Sequence, residues 1–400
     1  MLTTTLACPY CYETFTARQI LFRCHGRSSR GGTPCPPRQD EVLDGRRGIR
    51  LALGPVFKAD GWAKGRTNSA TCPGCGGTTN YRICPVCHSQ LPAQFGMVGS
   101  RMIAMAGAKD SGKTVYMTVL LHELRNRVGA QYGAAIMGAD DETLGRFTVN
   151  YEDVLYRDHQ LLDSTRRAET NEGWVDPLVF RFTAAPGGLR GGKPEQTLMS
   201  FFDAAGEDFL TQGSVDVNTR YLACADGIML LLDPLQMAGA RQLAAPGTPL
   251  PDTGSLYADP VAILTRVTNL LLPLNRGGRA QIGKPIAVVF TKLDTLWHAF
   301  ENGSPLRVPP PQRGCFDNAD SLDVHEQIRH LLHSWEGSEI DQILQNHYPR
   351  HRFFGVSALG STPTPDKRIA DSGIQPYRVA DPLLWLLSGF GNLPACREGR

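Results

Sequence analysis

Nowhere in the 400 residues does an uninterrupted apolar run reach the roughly 18 residues that a membrane-spanning helix needs. The nearest candidates, Ile228 to Leu232 and Leu270 to Leu274, have the lengths of a core strand and a core helix segment. The first residues, MLTTTLACPYC, lack a basic stretch followed by an apolar one. No secretory signal is therefore expected, and a cytoplasmic location is. Net charge is small, at +2, and no internal repeat is present. Charged residues supply only 20% of the chain against 42% apolar. That balance excludes wholesale disorder and allows one large domain or two to three ordinary ones.

The small net charge hides an asymmetry. Residues 1–100 hold 12 Lys+Arg and 5 Asp+Glu, a formal +7; the remainder holds 29 and 34, or −5. Eight of the 11 cysteines lie before residue 90: Cys8, Cys11, Cys24, Cys35, Cys72, Cys75, Cys84 and Cys87. If they hold two zinc ions as thiolates, each site carries about −2 and the excess falls to about +3. That is too mild to demand a polyanionic partner.

Cys8-Pro-Tyr-Cys11, Cys72-Pro-Gly-Cys75 and Cys84-Pro-Val-Cys87 share a C-P-x-C form. Such short turns let two thiolates span one tetrahedral zinc. Cys72 to Cys87 reads as C-x2-C-x8-C-x2-C, a compact pair of knuckles, with Cys8, Cys11, Cys24 and Cys35 as a looser set. The pairs could also interleave, with Cys8 and Cys11 closing on the later knuckles. His25 and His88 sit beside the ligand candidates as substitutes. Cys224, Cys315 and Cys396 read as solitary, ordinary thiols.

Residues 1–96 read as a tandem zinc-ribbon module and residues 97–391 as an α/β domain. In the second part strands alternate with helices. MIAMAG (102–107), GIMLLLD (227–233), PIAVVFT (285–291) and RFFGVS (352–357) read as buried strands. LVFRF (178–182) and TLMSFF (197–202), joined through Gly187 to Lys193, read as an antiparallel hairpin. Lys113 to Val128 has helical periodicity, and Asp259-Pro260 and Asp381-Pro382 each read as an N-cap followed by proline at the first helical position. Residues 236–257 and 299–322 read as surface insertions. The expected architecture is a doubly wound, mostly parallel sheet.

Gly107-Ala-Lys-Asp110-Ser111-Gly112-Lys113-Thr114 matches G-x4-G-K-[ST], between a strand and a helix that opens toward Val115. Its glycines let backbone amides face phosphates at a helix N-terminus. Lys113 would reach the β- and γ-phosphates and Thr114 would bind Mg²⁺. Asp203-Ala-Ala-Gly206 follows the strand ending in Phe202. Its Asp can hold Mg²⁺ through water, and its Gly amide can meet the γ-phosphate. Thr291-Lys292-Leu293-Asp294 follows another strand. A carboxylate there accepts from guanine's ring N–H and exocyclic amine, a donor pair adenine lacks. Ser357-Ala358-Leu359 follows the last strand, where the Ala358 amide can bond guanine O6. Four motifs in this order, each at a strand's C-terminal end, point to a guanine-nucleotide site.

From about Arg101 to Gly391 the chain resembles a Ras-like GTPase of the TRAFAC clade. With cysteine knuckles in front, it resembles the bacterial double-GTPase family proposed for conflict and signalling gene clusters. Proteins of that kind carry GAKDSGKT-like loops, a DAAGE turn and a DPLLWLL-like helix, here Asp381 to Leu387. The resemblance implies a P-loop NTPase fold, slow GTP hydrolysis, a protein effector or activating protein, and a water-orienting role for Glu207. It also implies a switch threonine, Thr165 before Thr170, with Arg166 and Arg167 beside it. Lys109 and Asp110 stand where Ras-like enzymes often have small residues, which puts an ordinary arginine finger in doubt.

A second reading is a zinc-ribbon nucleic-acid-binding protein whose NTPase domain remodels a complex. It draws on the basic segment with Tyr10, Tyr12, Phe15, Phe22 and Tyr81. An ATPase is a third, against which Asp294 argues. A metal site among His298, His325, His330, His333 and His347 is read against, in favour of polar helix faces.

Overall fold

The structure, a computed structural model, describes residues 5–29, 32–48, 50–60, 67–107, 110–162, 169–170, 173–174, 176–184, 195–201, 219–251, 259–274, 281–364, 366, 368–370 and 372–396. The Gly187 to Lys193 turn lies outside them.

Seven strands make the large sheet: β1 Gly99–Gly107, β2 Ala134–Gly138, β3 Leu178–Ala184, β4 Glu195–Phe201, β5 Gly227–Leu232, β6 Ile286–Phe290 and β7 His351–Gly355. Their order is β2-β3-β4-β1-β5-β6-β7. β4, β1, β5, β6 and β7 run parallel, and at one side β3 runs against them, pairing antiparallel with both β4 and β2. The expected β3–β4 pairing is present, in the register Leu178↔Phe201. The edge strand β2 carried no sequence signal of its own, being five residues of AAIMG.

The apolar runs are buried on both faces because both faces are covered. Ala104, Leu230, Val288 and Phe353 point to one core, closed by α2 (Pro260–Leu271), α3 (Asn318–Ser334) and α4 (Ser338–His347). Ile103, Met229, Val289 and Phe354 point to the other, closed by α1 (Lys113–Glu123) and α5 (Asp381–Gly389). The period of two along each strand sorts neighbours to opposite faces. Each buried Leu- or Phe-sized side chain contributes about 1.5–3 kcal/mol. A π-type turn carries α1 on through Leu124–Val128.

Two sequence expectations change. Asp259 caps α2 as expected, accepting from the Val261 amide. Asp381 does not cap α5: Ala380 is the N-cap, and the Asp381 carboxylate is bound by Arg378 at 2.8 Å. Cys315 and Cys396 are not solitary but joined as a disulfide. The Phe316 amide donates to Pro394 O and the Cys396 amide to Phe316 O, which brings the two cysteines side by side. Within 236–251 and 299–322, Met237, Ala240, Phe300, Leu306 and Phe316 are buried.

Register lines up the functional edge. Gly107 pairs with Leu231, Leu232 with Phe290, and Phe290 with Gly355. The loops after β1, β5, β6 and β7 therefore leave the sheet at one level, the usual ligand edge of an open parallel sheet.

Gly239 tests the packing behind that edge. A Cβ there would stand 2.2 Å from Ser334 O and 2.8 Å from Trp335 Cα. Gly239→Ala should destabilise by ~1–3 kcal/mol. Gly145→Ala, in a helix with nothing within 4 Å of the new methyl, should gain ~0.5–1 kcal/mol. Urea unfolding of the two variants checks this; matching stabilities would contradict the close approach.

Candidate functional site

The phosphate-loop motif folds as a chain of constrained residues. Gly107 ends β1, and a Cβ on it would lie 2.7 Å from Ser111 Oγ and 3.2 Å from Leu231 O. Asp110 and Gly112 both have left-handed backbone, at φ 59° and 74°. Alternation of left- and right-handed residues turns successive amides toward one concavity, which favours an anion. Ser111 is fully buried beneath it, and its hydroxyl has no hydrogen-bond partner among the described residues. Gly112 is the N-cap of α1, so Lys113, Thr114 and Val115 form the first turn, with the positive end of the helix behind the loop.

The T-K-x-D segment is bonded directly to that loop. The Thr291 hydroxyl donates to Ser111 O at 2.7 Å. Lys292, at φ 54°, sends its ammonium across the loop to Asp110 O, at 2.7 Å. The same ammonium pairs with Asp233 Oδ2 at 2.7 Å. Asp233 is fully buried at the end of β5, and its other oxygen accepts from the Leu235 amide. Only the Asp233 side of the pair is buried, Lys292 being about a third exposed, so loss of the ammonium would leave a buried carboxylate without its charge partner. Sequence reasoning missed Asp233; its signal was a lone carboxylate closing the all-apolar run GIMLLL.

Asp294 faces the third segment. The Ser357 hydroxyl donates to Asp294 Oδ1 at 2.5 Å and accepts from the Gly360 amide at 2.8 Å. The Leu293 amide donates to Val356 O at 3.1 Å, which ties the two loops through backbone as well. Ser357 exchanges backbone bonds with Tyr377, and Gln375 donates to Leu359 O. Behind them Arg378 binds Asp320, Asp381 and Val308 O. Ala358 and Leu359 are held between that support and the core below α1. Burial pushes the Asp294 carboxyl above its ordinary range, partly offset by the Ser357 hydroxyl.

The structure thus brings Gly107, Asp110 to Val115, Thr291, Lys292, Asp294 and Ser357 to Leu359 to one edge. Lys109, Thr165, Arg166, Arg167, Asp203, Gly206 and Glu207 lie outside the described residues. β4 ends at Phe201, two residues before Asp203, beside β1.

The eight cysteines form two tetrads, Cys8/Cys11/Cys84/Cys87 and Cys24/Cys35/Cys72/Cys75. The knuckles interleave. Cys72 to Cys87 is therefore not one metal-binding pair of knuckles, because strand Leu21–Arg23 lies between Val56–Lys58 and Arg82–Ile83 and carries the early cysteines to both later turns. Sulfur separations of 3.8 Å (Cys8–Cys87), 3.9 Å (Cys11–Cys84), 3.5 Å (Cys24–Cys75) and 3.8 Å (Cys35–Cys72) match the ~3.8 Å edge of a tetrahedron with 2.3 Å bonds. Amides of Tyr10, Val86 and Gly26 donate to Cys8, Cys84 and Cys24. The donor set fits zinc. His25 and His88 take no part: His25 lies against Tyr81, and His88 Nδ1 bonds Asp40. Among the described residues only these two tetrads bring together three or more metal-ligating groups; His325 instead accepts from the Phe353 amide.

No family model matches the chain. A protein of Mycolicibacterium smegmatis, provisionally named an ESX-1 scaffolding and assembly protein, SaeC, is 28% identical over 410 residues, spanning 96% of this chain and 99% of the relative. Among solved structures, the Arl6 BBS3 small GTPase of Trypanosoma brucei with a bound nucleotide analogue is 12% identical with a TM-score of 0.28, covering 74% of this chain and 99% of that one. The Ski7 GTPase-like domain of S. cerevisiae, bound to GDP and phosphate, is 12% identical with a TM-score of 0.36, covering 74% of this chain and 51% of that one.

The interleaving makes a sharp test. Cys72→Ser and Cys84→Ser should each lose one of about two zinc ions, and the double variant both. Retention of one zinc by the double variant, measured by metal analysis, would restore separate ribbons.

Proposed function

We propose that the protein is a guanine-nucleotide switch that hydrolyses GTP slowly, with residues 97–391 as a P-loop GTPase domain and residues 1–96 as a zinc-bound recruitment module. The observation that carries this is Asp294: a partly buried carboxylate, aimed by Ser357 and tied through Lys292 to the phosphate loop. A loop built to seat phosphates and a carboxylate built to accept two N–H groups are held in one bonded unit. In this reading Gly107, Asp110, Ser111, Gly112 and Lys113 cradle phosphates, and the Ala358 amide bonds guanine O6. Thr114 and Asp203 would hold Mg²⁺, which neutralises charge developing on the transferred phosphoryl group. Gly206 would meet the γ-phosphate, Thr165 would close on it, and Glu207 would orient water. Membership of the TRAFAC clade, kinship with bacterial double GTPases and a cytoplasmic site of action belong to the same proposal.

The scaffolding name of the mycobacterial relative supports an assembly role as the output, with nucleotide state controlling which proteins the zinc module recruits. Nucleic-acid binding is less well supported. Tyr10, Tyr12, Phe15 and Phe22 are buried, and of the five aromatics first considered only Tyr81 is exposed enough to stack a base.

Base choice tests the proposal. The protein should prefer GDP and GTP over adenine nucleotides by about 10²-fold or more, because adenine leaves the buried carboxylate unpaired. Asp294→Asn should lose guanine affinity and gain xanthine. Its folded-state carboxyl is raised, so the contribution of Asp294 to stability is present below its ordinary value and lost as pH rises through the raised one. Asp294→Asn should therefore match or exceed the native stability at pH 7, while native guanine affinity should fall on acidification at a pH above about 4. Equal affinity for ATP and GTP in competition binding would end the GTPase reading.

A further inference from the structure

β1 and β4 are the two strands that lead to the phosphate loop and to the D-x-x-G turn. Their last registered pair among the described residues is Ala104↔Ser200. Beyond it β1 continues along β5 to Gly107, and the two strands fork. Among the described residues one side chain bridges the fork. The Tyr221 hydroxyl accepts from the Met105 amide at 2.7 Å and donates to Ser200 O at 2.6 Å. Tyr221 lies in the helical stretch 219–224, the first described element after the D-x-x-G segment, and is 1% exposed.

Tyr221 also packs against the residue that follows the Cys8–Cys11 knuckle. Tyr12 directly follows the ligand candidate Cys11, has φ 61°, and buries its ring 4.9 Å from the Tyr221 ring. The Ser200 hydroxyl donates to Pro9 O, inside the Cys8–Cys11 knuckle, at 2.9 Å. Its one proton being used there, it accepts from the Tyr12 hydroxyl at 3.1 Å. Cys224 Sγ donates to Tyr12 O, and Arg220 pairs with Glu13. The knuckle thus grips both the end of β4 and the helical stretch. Among the described residues the second tetrad has no such link; besides its own cysteines, the partly buried hydrophobic side chain packed on it is Phe57.

We infer that Tyr221 is a positioning residue through which the Cys8/Cys11/Cys84/Cys87 metal site sets the rate of guanine-nucleotide release. This rests on the nucleotide-switch reading and adds a regulator to it. With the knuckle closed by metal, Tyr12 presses on Tyr221, and Tyr221 fixes the spacing of the two strands that feed the nucleotide loops. With the knuckle open, the ring contact and the Ser200 chain are lost, and the fork loosens. Coupling between two sites of this kind spans about 5–150-fold in affinity.

The test is fluorescent-GDP dissociation from the full chain, with zinc content and unfolding measured on the same samples. GDP binding by the native protein reports on the switch reading; the ratios between variants report on Tyr221. Tyr221→Phe keeps the ring and removes the bridge, and Tyr12→Phe removes only the Ser200 bond. Tyr221→Phe should keep about two zinc ions and release GDP at least about fivefold faster, and Tyr12→Phe should shift release in the same direction. Tyr348→Phe deletes a comparably buried hydroxyl, bonded to Thr268, and should release GDP at the native rate. Cys11→Ser should speed release in the native background and add little to Tyr221→Phe, since both act on one link. A folded, zinc-loaded Tyr221→Phe with native release, or full additivity with Cys11→Ser, overturns the inference while leaving the switch reading intact. A native protein that binds no guanine nucleotide overturns both.

Discussion

The ammonium of Lys292 is the point at which the candidate site is assembled. It bonds a carbonyl of the phosphate loop and a carboxylate at the end of β5, while its own backbone sits two residues from Asp294. A positive charge so placed does three things at once. It compensates Asp233, which is fully buried and would otherwise be an uncompensated charge in the core. It holds the phosphate loop by its backbone, not by a side chain. It also ties the loop that would seat phosphate to the segment whose carboxylate would read a base. The sheet register makes this reach feasible, since β1, β5, β6 and β7 end at one level.

The cysteine-rich segment packs against the α/β part. Cys8, Tyr10, Phe15, Cys84 and Cys87 share a core with Val179 and Leu198 of the large sheet. The Tyr10 hydroxyl donates to Asp140 at 2.5 Å, and Arg46 and Arg47 both pair with the buried Asp176. Four sulfurs this close require a cation to be ionised together: burial raises the Cys8 thiol, whereas hydrogen bonds from Cys11, Cys8 and Cys84 lower Cys87. A zinc site there is structural in the sense that it would order the surface that meets the sheet.

How much of this was legible in the sequence follows from how local each feature is. The phosphate loop, the T-K-x-D turn and the S-A-L turn are each contiguous, so strand-end context sufficed to single out Lys113, Thr114, Asp294 and Ala358 as candidates. The parallel core strands were legible because burial on both faces removes polar residues from GIMLLL and IAVVF. The interleaved cysteines were not, because spacing along the chain says nothing of which turn a hairpin brings near. Cys315 and Cys396 stand 81 residues apart and meet only because Phe316 pairs with the C-terminal segment. Asp381 carried the pattern of a helix cap, but a buried guanidinium on Arg378 competed for its carboxylate. Asp233 and Tyr221 carry no motif; the contacts that single them out span 59 and 116 residues.

The central claim is that three separate loops form one guanine-nucleotide site. Amide hydrogen exchange with and without saturating GDP tests it most directly. The account predicts joint protection of residues 107–115, 291–296 and 357–360, with ADP at the same concentration leaving all three near their nucleotide-free rates. Protection confined to residues 107–115, equal for GDP and ADP, would contradict it, because the phosphate loop would then be binding anions with no base-reading partner.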